Sequence, residues 1–228
     1  MASTFTDLGI ELMATGENAG TWGNKTNANL NLIEQLTGGF ATLSIAGGAG
    51  TQALDIDNGA LTGTAQQRII EFTGSISGNR IITIPNDVET FYILKNSTSG
   101  AYTVQFKYLT GSGSSTTFSA TDKGIKTVYA SANDGTNPDI VDVMANSSEI
   151  SLANNNPIKF NDADNSAFVG IDAPATVSGS YTLTLPAAVG SASQALVTTD
   201  GAGTLGFTST STFGITTGKA IAMAIVFG

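Results

Sequence analysis

The chain has 228 residues, of which 97 are Thr, Ser, Asn or Gly. A further 55 residues are Leu, Ile, Val or Phe, which is enough for a sizeable core and argues against disorder. The absence of His and Cys excludes Ser-His-Asp and Cys-His catalysis, disulfides, and metal sites with imidazole or thiolate ligands. The net charge of -9 argues against nucleic acid as a partner, because phosphate binding needs clustered Lys and Arg.

The first 41 residues differ from the rest and predict a helical segment. Leu30, Ile33 and Leu36 (with Leu32) form an apolar stripe over residues 24–36, and two glycines at 38–39 end the pattern. Asn24 or Thr26 would cap its start. A shorter helix is expected over residues 5–13. A helix of three turns must pack on something, either its own β-domain or a partner subunit.

The only tryptophan, Trp22, lies between glycines 20 and 23, just before the predicted helix. Such a residue is typical of an anchor that packs on the helix. The alternative is an aromatic platform that stacks on a sugar.

From residue 42 to 146 the apolar residues follow a period of two, which predicts β-strands. The expected strands are 68–73, 80–85, 90–95, 102–108, 125–130 and 139–144. Turn residues separate them, and no helix pattern intervenes. This organisation predicts an antiparallel β-sandwich-like domain.

A second β-rich unit is expected over residues 147–228, after a polar break at 153–157. Its predicted strands are 157–160, 167–171, 181–185, 194–198 and 204–207. Residues 178–186 also resemble residues 77–85, which suggests one supersecondary unit used twice; chance similarity among Ser/Thr-rich strands is the alternative. Whether residues 42–228 form one domain or two is left open.

Two acidic groups are the candidates for chemistry. Asp162, Asp164 and Asn165 place oxygen ligands with the alternating spacing found at the start of a calcium-binding loop. The Gly and Glu of an EF-hand loop are missing, however, and a solvated hairpin turn is the simpler interpretation. Asp55 and Asp57 would share a strand face as a glycosidase pair does, or as an ordinary exposed face. We expect no catalytic residue, no metal and no cofactor, since no phosphate loop or other cofactor motif occurs.

The C-terminal segment is apolar and alternates bulky with small residues. Its bulky residues are Ile221, Met223, Ile225 and Phe227, with alanines at 220, 222 and 224. This pattern predicts a strand, either the last one of the protein's own sheet or one buried between subunits of an oligomer. Eight residues are too few to span a bilayer, and the first residues lack a signal-peptide pattern, so we expect neither membrane insertion nor signal-dependent export.

Several stretches resemble virion proteins of marine bacteriophages. Residues 15–23 (TGENAGTWG) and 27–34 (NANLNLIE) are similar to the N-terminal segment of their tail-fibre-like proteins. Residues 168–177, 181–186 and 194–203 resemble further parts of those proteins, and residues 217–223 (TGKAIAM) are similar to their C-termini. Together these stretches cover about half of the 228 residues.

The resemblance implies a β-rich, usually homotrimeric virion structural component, placed on the tail or on the capsid surface. Residues 1–41 would then face the virion, with Trp22, Leu30, Ile33 and Leu36 as docking residues. Ile221, Met223, Ile225 and Phe227 would lie at the oligomer interface. Distal parts of such fibres meet the host, so a host surface glycan or protein is a further partner, although the chain is much shorter than a long host-recognition fibre.

The sequence therefore favours a non-enzymatic phage virion structural protein, a short tail fibre or fibre-like tail component that acts in assembly and host attachment. It would be assembled in the host cytoplasm and located in the phage particle. A capsid decoration or head-fibre protein is the alternative within this class. A glycan depolymerase that uses Asp or Glu pairs and a cellular adhesin are alternatives from other classes.

Overall fold

The structure is a computed structural model that describes residues 2–152, 156–162 and 166–212. The chain divides into two compact units, residues 1–150 (unit 1) and 151–228 (unit 2). The described part is mainly β, as the sequence predicts, and contains one α-helix.

Unit 1 holds the helix and eleven strands. They are β1 (Thr4–Phe5), β2 (Glu11–Leu12), α1 (Trp22–Gly38), β3 (Phe40–Ser44), β4 (Gly50–Ala53), β5 (Ile69–Thr73), β6 (Arg80–Ile84), β7 (Thr90–Asn96), β8 (Val104–Tyr108), β9 (Thr116–Phe118), β10 (Ile125–Ala130) and β11 (Ile140–Asp142). The six strands predicted from alternation are confirmed as β5 to β8, β10 and β11. Strands β3, β4 and β9 were not predicted; β4 (GTQA) and β9 (TTF) have only four and three residues, and β3 (FATLS) follows directly after the glycines that end the helix.

Strands β3 to β8 alternate between two sheets. One sheet has the strand order β11-β10-β7-β5-β3 and the other the order β4-β6-β8-β9. Every neighbouring pair among these six strands is parallel, with the registers Phe40–Ile69–Ile93 and Gly50–Arg80–Val104. The chain therefore winds through three stacked rungs, each with one strand in either sheet: β3 and β4, β5 and β6, β7 and β8.

The expected antiparallel pairing is wrong for these six strands. An alternating pattern tells which face of a strand is buried, but it carries no information on the direction of the neighbouring strand. Antiparallel pairs occur at one end of the stack, where β10 joins β7, β11 joins β10 and β9 joins β8. These three strands cap the third rung.

The turns that connect the two sheets also stack from rung to rung. Ser75 forms a parallel bridge with Ser99, and Gly47 forms one with Ile76. Gly100 has a φ of 99°, and a Cβ atom there would lie 2.2 Å from the carbonyl oxygen of Ile76. Only glycine fits this close approach of two backbones.

The hydrophobic core of unit 1 lies between the two sheets. The ring of Phe106 (β8) is fully buried, and its centroid lies 5.5 Å from that of Tyr92 (β7) and 6.4 Å from that of Phe72 (β5). The Tyr92 hydroxyl donates a 2.8 Å hydrogen bond to the carbonyl of Ala65. Phe106 thus joins the two sheets across the core.

The predicted helix is confirmed, but it begins earlier than expected. Trp22 is its first residue, Thr21 is the N-cap without a side-chain cap bond, and the Gly39 N–H donates to the carbonyl of Gln35 at the other end. The short helix expected over residues 5–13 is wrong. Those residues form the hairpin of β1 and β2, whose turn contains Gly9 at a φ of 80°.

The described part of unit 2 consists mainly of two hairpins. Strands β12 (Ile158–Asn161) and β13 (Phe168–Ile171) form one, and β14 (Gln194–Thr198) and β15 (Leu205–Ser209) form the other, followed by a short 3-10 turn. These four strands confirm the prediction. The strand expected over residues 181–185 is not formed, because only Thr184 bridges to another residue, Thr204. Residues 178–186 therefore do not repeat the secondary structure of residues 77–85.

Candidate functional site: the assembly surfaces

Helix α1 has a buried side and an apolar exposed side, and the predicted docking residues are divided between them. Leu32 and Leu36 are buried. Trp22, Leu30 and Ile33 are 64%, 58% and 46% exposed. The interpretation of Trp22 as a packed anchor is therefore wrong, and Leu36 is not accessible to a partner.

The exposed side of α1 carries an apolar stripe, which the exposed Glu34 borders. Trp22, Leu30 and Ile33 share it with two threonines, which lie at helical spacing on the same side. Thr26 donates its hydroxyl hydrogen to the carbonyl of Trp22 at 2.9 Å, and Thr37 does the same to the carbonyl of Ile33 at 2.6 Å. The hydroxyls are thus satisfied within the helix, and the surface offered to a partner is apolar.

Glu11 of β2 fixes the buried side of α1. Its carboxylate forms a 2.9 Å ion pair with Lys25, and its side chain is only 5% exposed. The Glu11 N–H donates to Oδ1 of Asn29 at 2.9 Å, and Nδ2 of Asn29 donates to the Glu11 carbonyl at 2.8 Å. The Asn29 amide thus pairs with the strand backbone as a neighbouring strand would, so the exposed face of α1 has a fixed orientation.

We expect Asn29→Ala to lower the free energy of unfolding by about 1–3 kcal/mol, since it removes two hydrogen bonds and leaves backbone groups of Glu11 without partners. Denaturant unfolding followed by circular dichroism measures this change. The control is Asn27→Ala, an exposed position on the same helix, which should be within about 0.5 kcal/mol of the parent. Equal effects of the two substitutions would contradict the role given to Asn29.

The hydrogen bond from Lys25 holds the pKa of the Glu11 carboxyl below its ordinary value, and a bond from Asn18 acts in the same direction against desolvation. The ionised form is therefore favoured by folding. Its contribution to stability is present above the unfolded pKa of about 4.3 and is lost as the pH falls through the folded pKa. We expect Glu11→Gln to lose less stability than the parent between about pH 5 and pH 3. Lys25→Gln should flatten the same profile; an unchanged profile in both variants would contradict this coupling.

A groove of about 580 Å³ runs beside the C-terminal half of α1. Phe40 and Leu61 line it and are 56% and 43% exposed, and Nε2 of Gln35 donates to the carbonyl of Leu61 at 3.2 Å. This groove was not predicted from the sequence, although the apolar Phe40 directly after the helix-ending glycines is a signal that could have indicated it.

In the described part of unit 2, one face of the first hairpin is an exposed apolar surface. Ile158 pairs with Ile171 and Phe160 pairs with Val169, so these four side chains lie on the same face. They are 50%, 65%, 58% and 72% exposed in that order. On the opposite face the ammonium of Lys159 lies 4.4 Å from the ring centroid of Phe168. Hence one face of the hairpin is wholly apolar and uncovered.

The other described residues of unit 2 are exposed or half-buried. The cross-strand pair Leu196 and Phe207 is 50% and 40% exposed. No residue of unit 2 is buried within the ranges 151–152, 156–162 and 166–211. The strands were predicted from the sequence, but their exposure was not, because alternation looks the same whether a neighbour covers the strand or not.

The acidic candidates do not form a chemical centre in the described residues. Asp55 and Asp57 follow β4 in a loop, not on a strand face as expected. Asp55 accepts bonds from the hydroxyl and the N–H of Thr64, which lower the pKa of its carboxyl, and Asp57 accepts one from Thr62. Asp162 accepts a 3.1 Å bond from Ser166, whereas Asp164 and Asn165 lie outside the described residues. Among the residues described, no group of three acidic side chains is placed to hold a metal ion.

The proposed interface residues of the C-terminal segment, Ile221, Met223, Ile225 and Phe227, also lie outside the described residues. Among the helices that the structure does describe, none combines the length and the hydropathy needed to cross a bilayer.

Protein-family models, curated protein sequences and solved structures were all compared with the chain, and none of the three comparisons finds a match.

Proposed function

We propose that this chain is a non-enzymatic structural protein of a bacteriophage particle, a short tail fibre or fibre-like tail component that works by assembling with copies of itself. One observation carries the assembly part: within the described residues of unit 2 no side chain is buried, although every strand there carries large apolar residues. The similarity of both ends of the chain to phage tail-fibre-like proteins supports the virion part.

The physical argument starts from the first hairpin of unit 2. An isolated two-stranded hairpin is at best marginally stable in water. Covering the apolar face of Ile158, Phe160, Val169 and Ile171 would stabilise each copy by on the order of 4–7 kcal/mol. Left open, such a face favours aggregation. Assembly with other copies covers it, and we propose a homotrimer.

In this proposal unit 1 is the sandwich-like body that carries the docking surface. The exposed face of α1, with Trp22, Leu30 and Ile33, contacts a neighbouring virion protein of the tail. The apolar C-terminal segment adds Ile221, Met223, Ile225 and Phe227 to the interface between copies. Contact with a host surface glycan or protein would follow from a place at the distal end of the fibre.

Two measurements test the proposal. Size-exclusion chromatography with light scattering should give about three times the chain mass of 23.2 kDa at micromolar concentration, and a persistent monomer would contradict assembly. Gold-labelled antibody on purified phage particles should mark the tail. Label on the head would favour a capsid decoration protein, and particles that lack the chain would contradict the virion role.

A further inference from the structure

The first rung, β3 and β4, is an open end of the stack. In the described part of the chain, β3 and β4 are the last strands of their sheets on this side. The N–H of Gly50 donates to the carbonyl of Asn79, just before β6, at 3.1 Å, and the N–H of Leu54 donates to the carbonyl of Thr83 in β6 at 2.7 Å. Because backbone groups alternate along a strand, the N–H groups of Thr51 and Ala53 point away from β6.

The core is also less covered at this end. Leu43 of β3 packs against the core but remains partly exposed, whereas its neighbour in the second rung, Phe72, is fully buried. Open edge strands are usually protected by charged residues, proline or a bulge. Neither β3 (FATLS) nor β4 (GTQA) contains a charged residue or proline. At the other end, the chain covers its last rung with β9, β10 and β11.

Residues 181–185 of unit 2 have the complementary property. Tyr181, Leu183 and Leu185 alternate with threonines and are 65%, 54% and 74% exposed. Thr184 donates its N–H to the carbonyl of Gly203 and accepts at its own carbonyl from the Leu205 N–H. By alternation, the backbone groups of Leu183 and Leu185 point to the other side of the segment.

The sequence of this segment matches the strand that already pairs with β4. Residues 178–186 (SGSYTLTLP) correspond to residues 77–85 (SGNRIITIP), which contain β6. Leu183 and Leu185 then correspond to Ile82 and Ile84, both of which are fully buried in the second rung. The segment thus has the pattern of a rung strand, although the described residues of unit 2 contain no rung.

We infer that the open edge of β4 accepts residues 181–185 of a second copy of the chain as a parallel strand. The segment takes the place, on the outer side of β4, that β6 has on the inner side. This inference rests on the assembly part of the proposed function. The chemistry recognised is an uncharged extended segment with a large apolar or aromatic side chain at every second position.

The hydrogen-bonding parity of the two edges agrees with this pairing. With Gln52 beside Leu183, as it lies beside Ile82 in the second rung, Thr51 lies beside Thr182 and Ala53 beside Thr184. In a parallel ladder, the outward N–H and carbonyl groups of Thr51 and Ala53 then bond to backbone groups of residues 181, 183 and 185. The backbone groups of these three residues point away from the side on which Thr184 is already bonded, and so they face β4.

Engineered disulfides test the contact without background, because the chain has no cysteine. Thr51→Cys and Thr182→Cys are prepared as separate full-length variants, mixed during refolding and oxidised. Side-by-side residues of neighbouring strands are about 4.8 Å apart, within the Cα separation of about 4.4–6.8 Å that a disulfide needs. We expect a covalent dimer of one variant with the other, which peptide mass spectrometry of the cross-link identifies and which can form only between copies.

The matched control is Thr117→Cys mixed with Thr182→Cys. Thr117 is an exposed threonine on β9, the opposite edge of the same sheet. We expect the mixed dimer to form several-fold more with Thr51→Cys than with this control. Equal yields, or a predominant Thr51→Cys homodimer, would overturn the inference. Light scattering on the parent protein distinguishes failure of the strand pairing from failure of the proposed assembly. An oligomer that does not form the cross-link contradicts only the strand pairing, whereas a monomer contradicts assembly itself.

Discussion

The substitution Phe106→Ala is expected to lower the free energy of unfolding by about 3–5 kcal/mol. The fully buried Phe106 contacts an aromatic ring on each of two strands of the opposite sheet. Removing its ring leaves a cavity between the sheets, where the stacked backbones cannot move together to fill it. Urea unfolding followed by circular dichroism measures the loss, which is a large part of a typical domain stability of about 5–15 kcal/mol.

Phe40→Ala is the matched control for this substitution. Phe40 is the same residue type on a strand of the opposite sheet, but it is 56% exposed. We expect its loss to cost about 1 kcal/mol or less, because little apolar surface returns to water. A similar cost at both positions would show that the region between the sheets is not the tightly packed core of unit 1.

Introducing a charge on the open hairpin of unit 2, as in Val169→Asp, is expected to weaken assembly about 100-fold or more. Val169 lies on the wholly apolar face of the hairpin and is 72% exposed. An ionised carboxylate buried between copies without a partner costs several kcal/mol, in addition to the lost burial of the valine. The concentration dependence of the mass in light scattering gives the change in dissociation constant.

Val189→Asp provides the control for Val169→Asp, since it makes the same change in the same unit. Val189 is 95% exposed and lies outside both hairpins. We expect this variant to assemble as the parent does. Circular dichroism of both variants should show that unit 1 remains folded, so that a loss of assembly is assigned to the interface. Equal weakening by the two variants would contradict a specific role of the hairpin face.

The positions of most strands could be predicted from the sequence, but their neighbours could not. Alternation in β5 to β8 follows from burial on one face, and this is a local property of the chain. The parallel pairing of Ile69 with both Phe40 and Ile93 joins residues 29 and 24 positions apart. Nothing in a period of two distinguishes such a pair from a hairpin, and so the predicted antiparallel arrangement failed where the rungs stack.

The face of the helix shows the same limit. Leu30, Ile33 and Leu36 fit the spacing of one helical stripe, but Leu32 and Leu36 fit it too, and the structure buries the second pair. Polar Asn29 belongs to the buried side because Glu11, 18 residues away, satisfies its amide. Hydropathy assigns an asparagine to the exposed side, and only the distant partner reverses that assignment.

The strand predicted over residues 181–185 is not formed, because alternation indicates a strand-forming pattern but not whether a neighbouring strand is present. A pattern reports how well a segment would pack in a sheet. The ladder itself needs a second strand, and the described residues supply only the bridge from Thr184 to Thr204. The same distinction applies to the proposed docking residues, where exposure decides which apolar side chains remain for a partner.

The parallel rungs have a consequence for the order of folding during synthesis. Strands β3 and β4 gain their neighbours only when β5 and β6, which lie 29 and 30 residues further along the chain, have been made, whereas β11 and β9 pair with β10 and β8 over only 10–14 residues. The ribosome releases the chain from its N-terminus, so the rung made first depends on strands that emerge later. The first rung therefore stays without neighbouring strands until about 30 further residues have been made, and its apolar side chains remain exposed during that interval.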